Sequence, residues 1–295
     1  MTRRRLTRRS TRTTLALAAG ALLLGAGTAQ AATVTVGSPL TATFNSSFGG
    51  TATEVNVALA DPGALTSAPN SGGTTNWTIV SYRVLVNSTG RFALRVIHPA
   101  AGGTYTGAGT SPPATPSGTG LQSFSANLPI SAGDLIGLDL VDNSSLIKAA
   151  DVPGSTVYEW GNNGFLADGQ TLPPAYNYPD TELGFNADLV PTNTITVGTT
   201  QRNKKKGTAT INLTLPNPGD LSIIGKGVKA ASAGGAVISK SVGAGAAQLL
   251  VKATGKKKRI LNKTGKVKMK GTITYTPHLG DPQTQSVTVK LKKKR

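Results

Sequence analysis

The 295-residue chain contains no cysteine, and that single absence removes a set of chemistries. Disulfides, thiol nucleophiles, a lipid-carrying N-terminal cysteine and every cysteine-containing zinc site are excluded. Folded parts must hold by core packing and hydrogen bonding alone, which a chain of this length can supply. Histidine is nearly as scarce: only His98 and His278 occur, each beside a proline. No G-x-S-x-G elbow is present to serve either in a Ser-His-Asp arrangement, and the chain reads as no enzyme. Helical periodicity is missing from residues 32–191. Past residue 31 no apolar run approaches the roughly twenty residues of a membrane-spanning helix.

What is present begins with a leader. Arg3, Arg4, Arg5, Arg8, Arg9 and Arg12 precede an apolar run from Leu15 to about Gly25, and Ala29-Gln30-Ala31 follows. This is the pattern of a signal peptide with an A-x-A cleavage site. It predicts a mature start at Ala32, a secreted protein either free or held at a cell wall or surface without a covalent anchor, and no transmembrane segment after cleavage. Arg8-Arg9 also raises the twin-arginine route, but Thr11 and Arg12 stand where that signal has apolar residues. The general secretory route fits better.

Charge divides the rest of the chain. Residues 32–191 hold eleven acidic residues against four basic ones (Arg83, Arg91, Arg95 and Lys148), a net of −7. Residues 192–295 hold only Asp220 and Asp281 against twenty-one lysines and arginines, a net of +19. Both tryptophans and all six phenylalanines lie in the first part, whereas Tyr275 is the only aromatic of the second. Val190-Pro191-Thr192-Asn193 marks the join. The expected organisation is a signal peptide over 1–31, an acidic domain over 32–191 and a lysine-rich domain over 192–295.

Both domains read as all-β. Trp77–Val86 and Arg91–Ile97 are the best strands of the acidic part, joined by an Asn87-Ser88-Thr89-Gly90 turn. Residues 102–120 and 161–179 read as long surface loops. Strand number and length point to a jelly-roll-like antiparallel β-sandwich. In the basic part Thr208–Leu215 alternates cleanly. Lys266, Lys268 and Lys270 alternate with Val267 and Met269, and Lys290, Lys292 and Lys294 repeat this around Leu291. About seven strands in roughly one hundred residues match an immunoglobulin-like β-sandwich without its disulfide.

Several segments carry a resemblance. The Arg202-Asn203-Lys204-Lys205-Lys206-Gly207 turn, the Pro216-Asn217-Pro218-Gly219-Asp220-Leu221 hairpin and Gly225-Lys226-Gly227-Val228-Lys229 are three of them. Leu261-Asn262-Lys263-Thr264-Gly265-Lys266-Val267 and Tyr275-Thr276-Pro277 are the others. Over roughly residues 194–293 the chain resembles uncharacterised exported bacterial β-rich proteins with a lysine-rich immunoglobulin-like C-terminal module. The resemblance implies an accessory β-sandwich and brings no catalytic residues.

The lysine clusters carry the one physical signal for function. Lys204, Lys205, Lys206, Lys256, Lys257, Lys258 and Arg259 read as turn residues of a domain with a strong positive potential. Outside a cell the partners are anionic cell-envelope polymers or acidic polysaccharide. Tyr275 alone offers no stacking platform, so sequence-specific nucleic-acid binding is not expected. The competing reading is that the charge serves solubility or docks on the acidic domain. A carbohydrate-binding module is the alternative function, with Trp160, Tyr176 and Tyr178 as a sugar platform. A hydrolase trails, its paired carboxylates drawn from Asp134, Asp139, Asp142, Glu159, Asp168, Asp180 and Glu182. No cofactor is called for. The one ion the residues suit is calcium, because Asp139 and Asp142 place oxygen donors on one short turn.

Overall fold

Alternation of apolar and polar residues, the signature of a strand with one buried face, runs through most of the chain. The computed structural model is accordingly all-β, in antiparallel sheets. It describes residues 31–161, 164–230 and 240–294. The expected signal peptide, apart from Ala31, lies outside the described residues.

Twelve strands make the first sheet. They are β1 (Val34–Gly37), β2 (Ser46–Gly49), β3 (Ala52–Ala58), β4 (Asn76–Val86), β5 (Phe92–Pro99), β6 (Tyr105–Thr110), β7 (Gly120–Ser131), β8 (Leu135–Leu140), β9 (Leu146–Trp160), β10 (Thr171–Leu172), β11 (Tyr176–Leu183) and β12 (Phe185–Pro191). The main path runs β1-β12-β4-β9-β3-β8-β5-β6-β10, with β7 on β4 and both β2 and β11 on β9. The long β9 thus pairs with β2, β3, β4 and β11 along its length. One face covers a core that includes Trp77, Tyr82, Phe92 and Phe185, and a smaller cluster of Val55, Ile97, Leu135, Trp160 and Leu166 lies apart from it.

Eight strands make the second sheet: β13 (Thr196–Asn203), β14 (Thr208–Leu215), β15 (Gly219–Gly225), β16 (Val228–Ala230), β17 (Lys240–Val242), β18 (Gly245–Ala253), β19 (Lys266–Pro277) and β20 (Gln283–Lys292). They follow one hydrogen-bonded path, β13-β14-β18-β16-β15-β19-β20, with β17 on β15. The sheet rolls around a single core, and Arg202 Nε on β13 donates to Lys290 O on β20 at 2.9 Å. A helix, α1 (Gly255–Thr264), connects β18 to β19.

Three features differ from the sequence reading. Lys256–Arg259 is not a turn but the start of α1, which buries only Leu261 and so leaves no apolar periodicity to detect. The helix stops at Gly265, left-handed at φ 69°, whose N–H returns to Leu261 O as a glycine C-cap does. Strand β6 occupies the expected loop over 102–120, and β10 with the start of β11 occupies that over 161–179. Gly107 shows why β6 read as loop: a Cβ there would fall 2.4 Å from Ala167 O, so this glycine permits close backbone packing.

The sheets meet at Asn217, fully buried between β14 and β15. Its Oδ1 accepts from the N–H groups of Thr75 and Asn76 at 3.1 and 3.0 Å. Its Nδ2 donates to Asn76 O and Thr192 O at 2.7 and 3.0 Å. Two donors and two lone pairs are all an amide has. The backbone of Asn217 is held in turn by the Tyr275 hydroxyl, which donates to Asn217 O at 2.6 Å. Replacing Asn217 with alanine strands buried groups worth about 1–3 kcal/mol each. Asn217→Ala is therefore expected to destabilise by at least about 3 kcal/mol and to separate the unfolding of the two sheets in calorimetry. One transition at the wild-type temperature would contradict this account of the junction.

Candidate functional site

On β19 and β20 the inward residues are Val267, Met269, Val289 and Leu291, all buried. Their alternation leaves Lys266, Lys268, Lys270, Lys290 and Lys292 exposed on the opposite face. The pairing register then sets Lys266 opposite Lys292 and Lys268 opposite Lys290. Like charges directly across a ladder destabilise it. The core imposes this arrangement, since a one-residue slip would bury the lysines.

Helix α1 brings further charge to the same end. Lys257 Nζ donates to Lys268 O at 3.2 Å. Four basic residues occupy the start of α1, with no acidic residue in the first turn and no side-chain cap from Thr254. That is the reverse of what the helix dipole favours. The turn between β13 and β14 joins them: Lys294 N donates to Lys204 O at 2.8 Å, and Gly207 packs against Leu261 and Lys293. Clusters far apart in sequence thus meet at one end of the second sheet.

Between α1 and the β19–β20 pair runs a groove of about 500 Å³, lined by Lys257, Lys266, Lys268, Lys290 and Lys292 over Ile260, Val267 and Leu291. That volume lies within the range of small-molecule sites, about 300–1,000 Å³. Among the described residues no carboxylate lines it. Asp220 stands opposite Thr276 at the far end of β19, six residues from Lys270 and thus about 20 Å away by strand rise. Asp281 also lies beyond that far end, where it accepts from Ala31 N at 3.0 Å.

The acidic residues of the first sheet are largely engaged within it. Asp139 accepts from Arg95 on both oxygens and from Thr53 at 2.7 Å. Burial pushes this carboxyl above its ordinary value against the pull of Arg95. Arg91 hydrogen-bonds both oxygens of Asp142 and lowers its pKa to about 2. The two candidate calcium ligands therefore each face a different guanidinium. Asp188 pairs with Arg83 at 2.7 Å, and Asp134 with His98 at 2.6 Å. All ion pairs among the described residues fall in the first sheet.

The candidate sugar platform is divided by the pleat. Tyr176 stands opposite Glu159 in register, so Trp160, the next residue, points to the other face. Trp160 is 3% exposed in the smaller core, with Tyr105 edge-on at 5.4 Å. It also edges a cleft of about 220 Å³. Tyr176 is exposed and lies 6.3 Å from Tyr178, centroid to centroid.

One pair escaped the sequence reading. Glu54 on β3 lies opposite Glu159 on β9 and is 1% exposed. Its Oε2 has no donor among the described residues, while Glu159 accepts from the Tyr178 hydroxyl at 2.8 Å. Burial first, then the hydrogen-bonded Glu159, push Glu54 well above the carboxylate range. Burial beside a second carboxylate favours the protonated form of Glu54.

No protein-family model matches the chain, and no curated protein does. Among solved structures, Ruminococcus gnavus beta-glucuronidase in complex with uronic isofagomine matches at 10% identity and TM-score 0.22, over 74% of this chain and 35% of that one. A second structure of the same beta-glucuronidase matches at 10% identity and TM-score 0.20, over 81% of this chain and 36% of that one. The chain thus spans about a third of that enzyme's length. A likeness so slight assigns no activity.

Glu54 binds its proton more tightly folded than unfolded, so its contribution to stability is present at low pH and lost as pH rises through the folded value. Glu54→Gln keeps a neutral donor. It is expected to leave the melting temperature nearly unchanged at pH 4 and to raise it by ~2 °C or more at pH 8. A lower melting temperature at pH 8 would show that Glu54 is ionised.

Proposed function

We propose that this is a secreted, surface-associated, non-catalytic β-sandwich protein whose lysine-rich second sheet binds anionic cell-envelope polymers. The signal-like leader and the resemblance to exported β-rich proteins support the compartment. The observation that carries the binding reading is the convergence of Lys257, Lys266, Lys268, Lys290 and Lys292 on one groove that, among the described residues, no carboxylate lines. Solubility alone is served by charge dispersed over a surface. Here lysines are paired across a ladder and set against a helix dipole, both at a cost in stability. Edge protection by lysine accounts for β20, a terminal strand, and for residues 266–271 of β19, which β15 leaves unpaired, but it does not call for Lys257 of α1 on the same groove. Docking on the acidic domain draws no support from the ion pairs described, which all stay within the first sheet.

Lys268→Glu separates a binding role from a structural one. A carboxylate opposite Lys290 turns repulsion into attraction, so the variant should gain up to ~1 kcal/mol in stability. It should also elute from immobilised polyphosphate at clearly lower salt than the wild type. Equal elution of the two proteins, with the variant folded, would remove the groove from the function.

A further inference from the structure

The groove sets a spacing as well as a sign. Along β19, Lys266, Lys268 and Lys270 recur at every second residue, about 6.6–6.8 Å apart by strand rise. Lys292 and Lys290 stand across from the first two, with Cβ atoms about 4.5–5.5 Å away. A linear ligand lying along β19 meets one pair of ammonium groups, then a second pair, then Lys270. Lys257 forms the opposite wall. Its stem crosses the turn at Gly227, left-handed at φ +80°, where a Cβ would lie 2.4 Å from Lys257 Cγ.

The lining also restricts the chemistry between the charges. Among the described residues it consists of lysines and the aliphatic Ile260, Val267 and Leu291, with no arginine, carboxylate, amide, hydroxyl or aromatic side chain. Ammonium groups are compact charges with rotatable donors, suited to the tetrahedral oxygens of a phosphate, whereas planar bidentate recognition belongs to arginine. Bases would need a stacking surface, and Tyr275, the sheet's one aromatic, is fully buried. Sugar rings present broad apolar faces, and no aromatic side chain lines the groove among the described residues to stack on them. Phosphodiesters joined by short carbon segments without rings fit both requirements, their methylenes lying along the aliphatic lysine stems. A three-carbon polyol phosphate repeats every six backbone bonds. So do two residues of extended peptide, the repeat of the lysine ladder.

We propose that the groove between α1 and the β19–β20 pair binds a linear poly(polyol phosphate) with a three-carbon repeat, holding about three consecutive phosphodiesters per site. This rests on the reading of the second sheet as a polyanion binder and adds to it the polymer's chemistry and direction.

Calorimetric titration of the purified protein with poly(glycerol phosphate), polyglutamate and a mixed-sequence single-stranded oligonucleotide, matched in charge and salt, tests it. Poly(glycerol phosphate) is expected to bind about tenfold or more tighter than the other two. Six lysine contacts predict a slope of log K against log salt of about −4.2, taking the single-strand value per contact. The triple variant Lys257→Gln, Lys268→Gln, Lys290→Gln should lose about tenfold or more in affinity while keeping the wild-type circular dichroism. Lys204→Gln, Lys205→Gln, Lys206→Gln, which removes equal charge outside the groove, should lose clearly less. Equal affinity for all three polymers, or equal losses from both triple variants, would overturn this proposal and leave general polyanion binding standing. Binding to none of the three would remove the wider reading as well.

Discussion

The pairing register of β19 with β20 is the constraint from which the basic end of the molecule follows. Four buried apolar side chains fix that register, and it forces Lys266 against Lys292 and Lys268 against Lys290. Core burial outweighs the repulsion: each buried aliphatic contributes about 1.5–3 kcal/mol, and a like-charge pair costs up to about 1 kcal/mol. The lysines are therefore held in place by residues that never touch a ligand. Helix α1 and the β13–β14 turn then add charge to an end that already repels itself, supported by the Gly265 cap and the contact of Gly207 with Leu261.

Charge is handled in opposite ways in the two sheets. In the first, arginines meet carboxylates at 2.6–2.7 Å, and burial pushes the Glu54 carboxyl well above its ordinary value. Asp151 and Asp180 remain exposed there, and the first sheet stays net acidic. The two are joined instead by neutral hydrogen bonds through Asn217, indifferent to salt, so the positive field of the second sheet can be screened or occupied without loosening the junction.

The all-β class and the alternation of lysines on β19 and β20 were legible in the sequence, because a period of two survives in any strand with one wet face. Convergence was not. Nothing in Asn203–Gly207, Gly255–Thr264 and Lys290–Lys294 states that they share one end, since that depends on the rolling of the sheet. Helix α1 was hidden because its packing rests on the adjacent Ile260 and Leu261, which show no helical spacing. Glu54 was missed for the opposite reason. In Thr53-Glu54-Val55-Asn56-Val57 the polar positions look like a solvent face, yet β3 is buried on both sides and its polar face turns inward. Trp160 and Tyr176 looked like one platform by composition, and the pleat sets them on opposite faces. Asp139 and Asp142 looked like a ligand pair, but their arginine partners come from β5 and the residue before it, far from them in sequence.

The central claim is that an external anion occupies the groove between α1 and the lysine ladder. Amide chemical-shift mapping during titration with short-chain polyphosphate tests it most directly, because every backbone position reports at once. The account predicts shifts concentrated at residues 255–270 and 288–292, saturating together with one affinity. Small shifts spread over all lysine-bearing segments alike, with no common saturation, would contradict it.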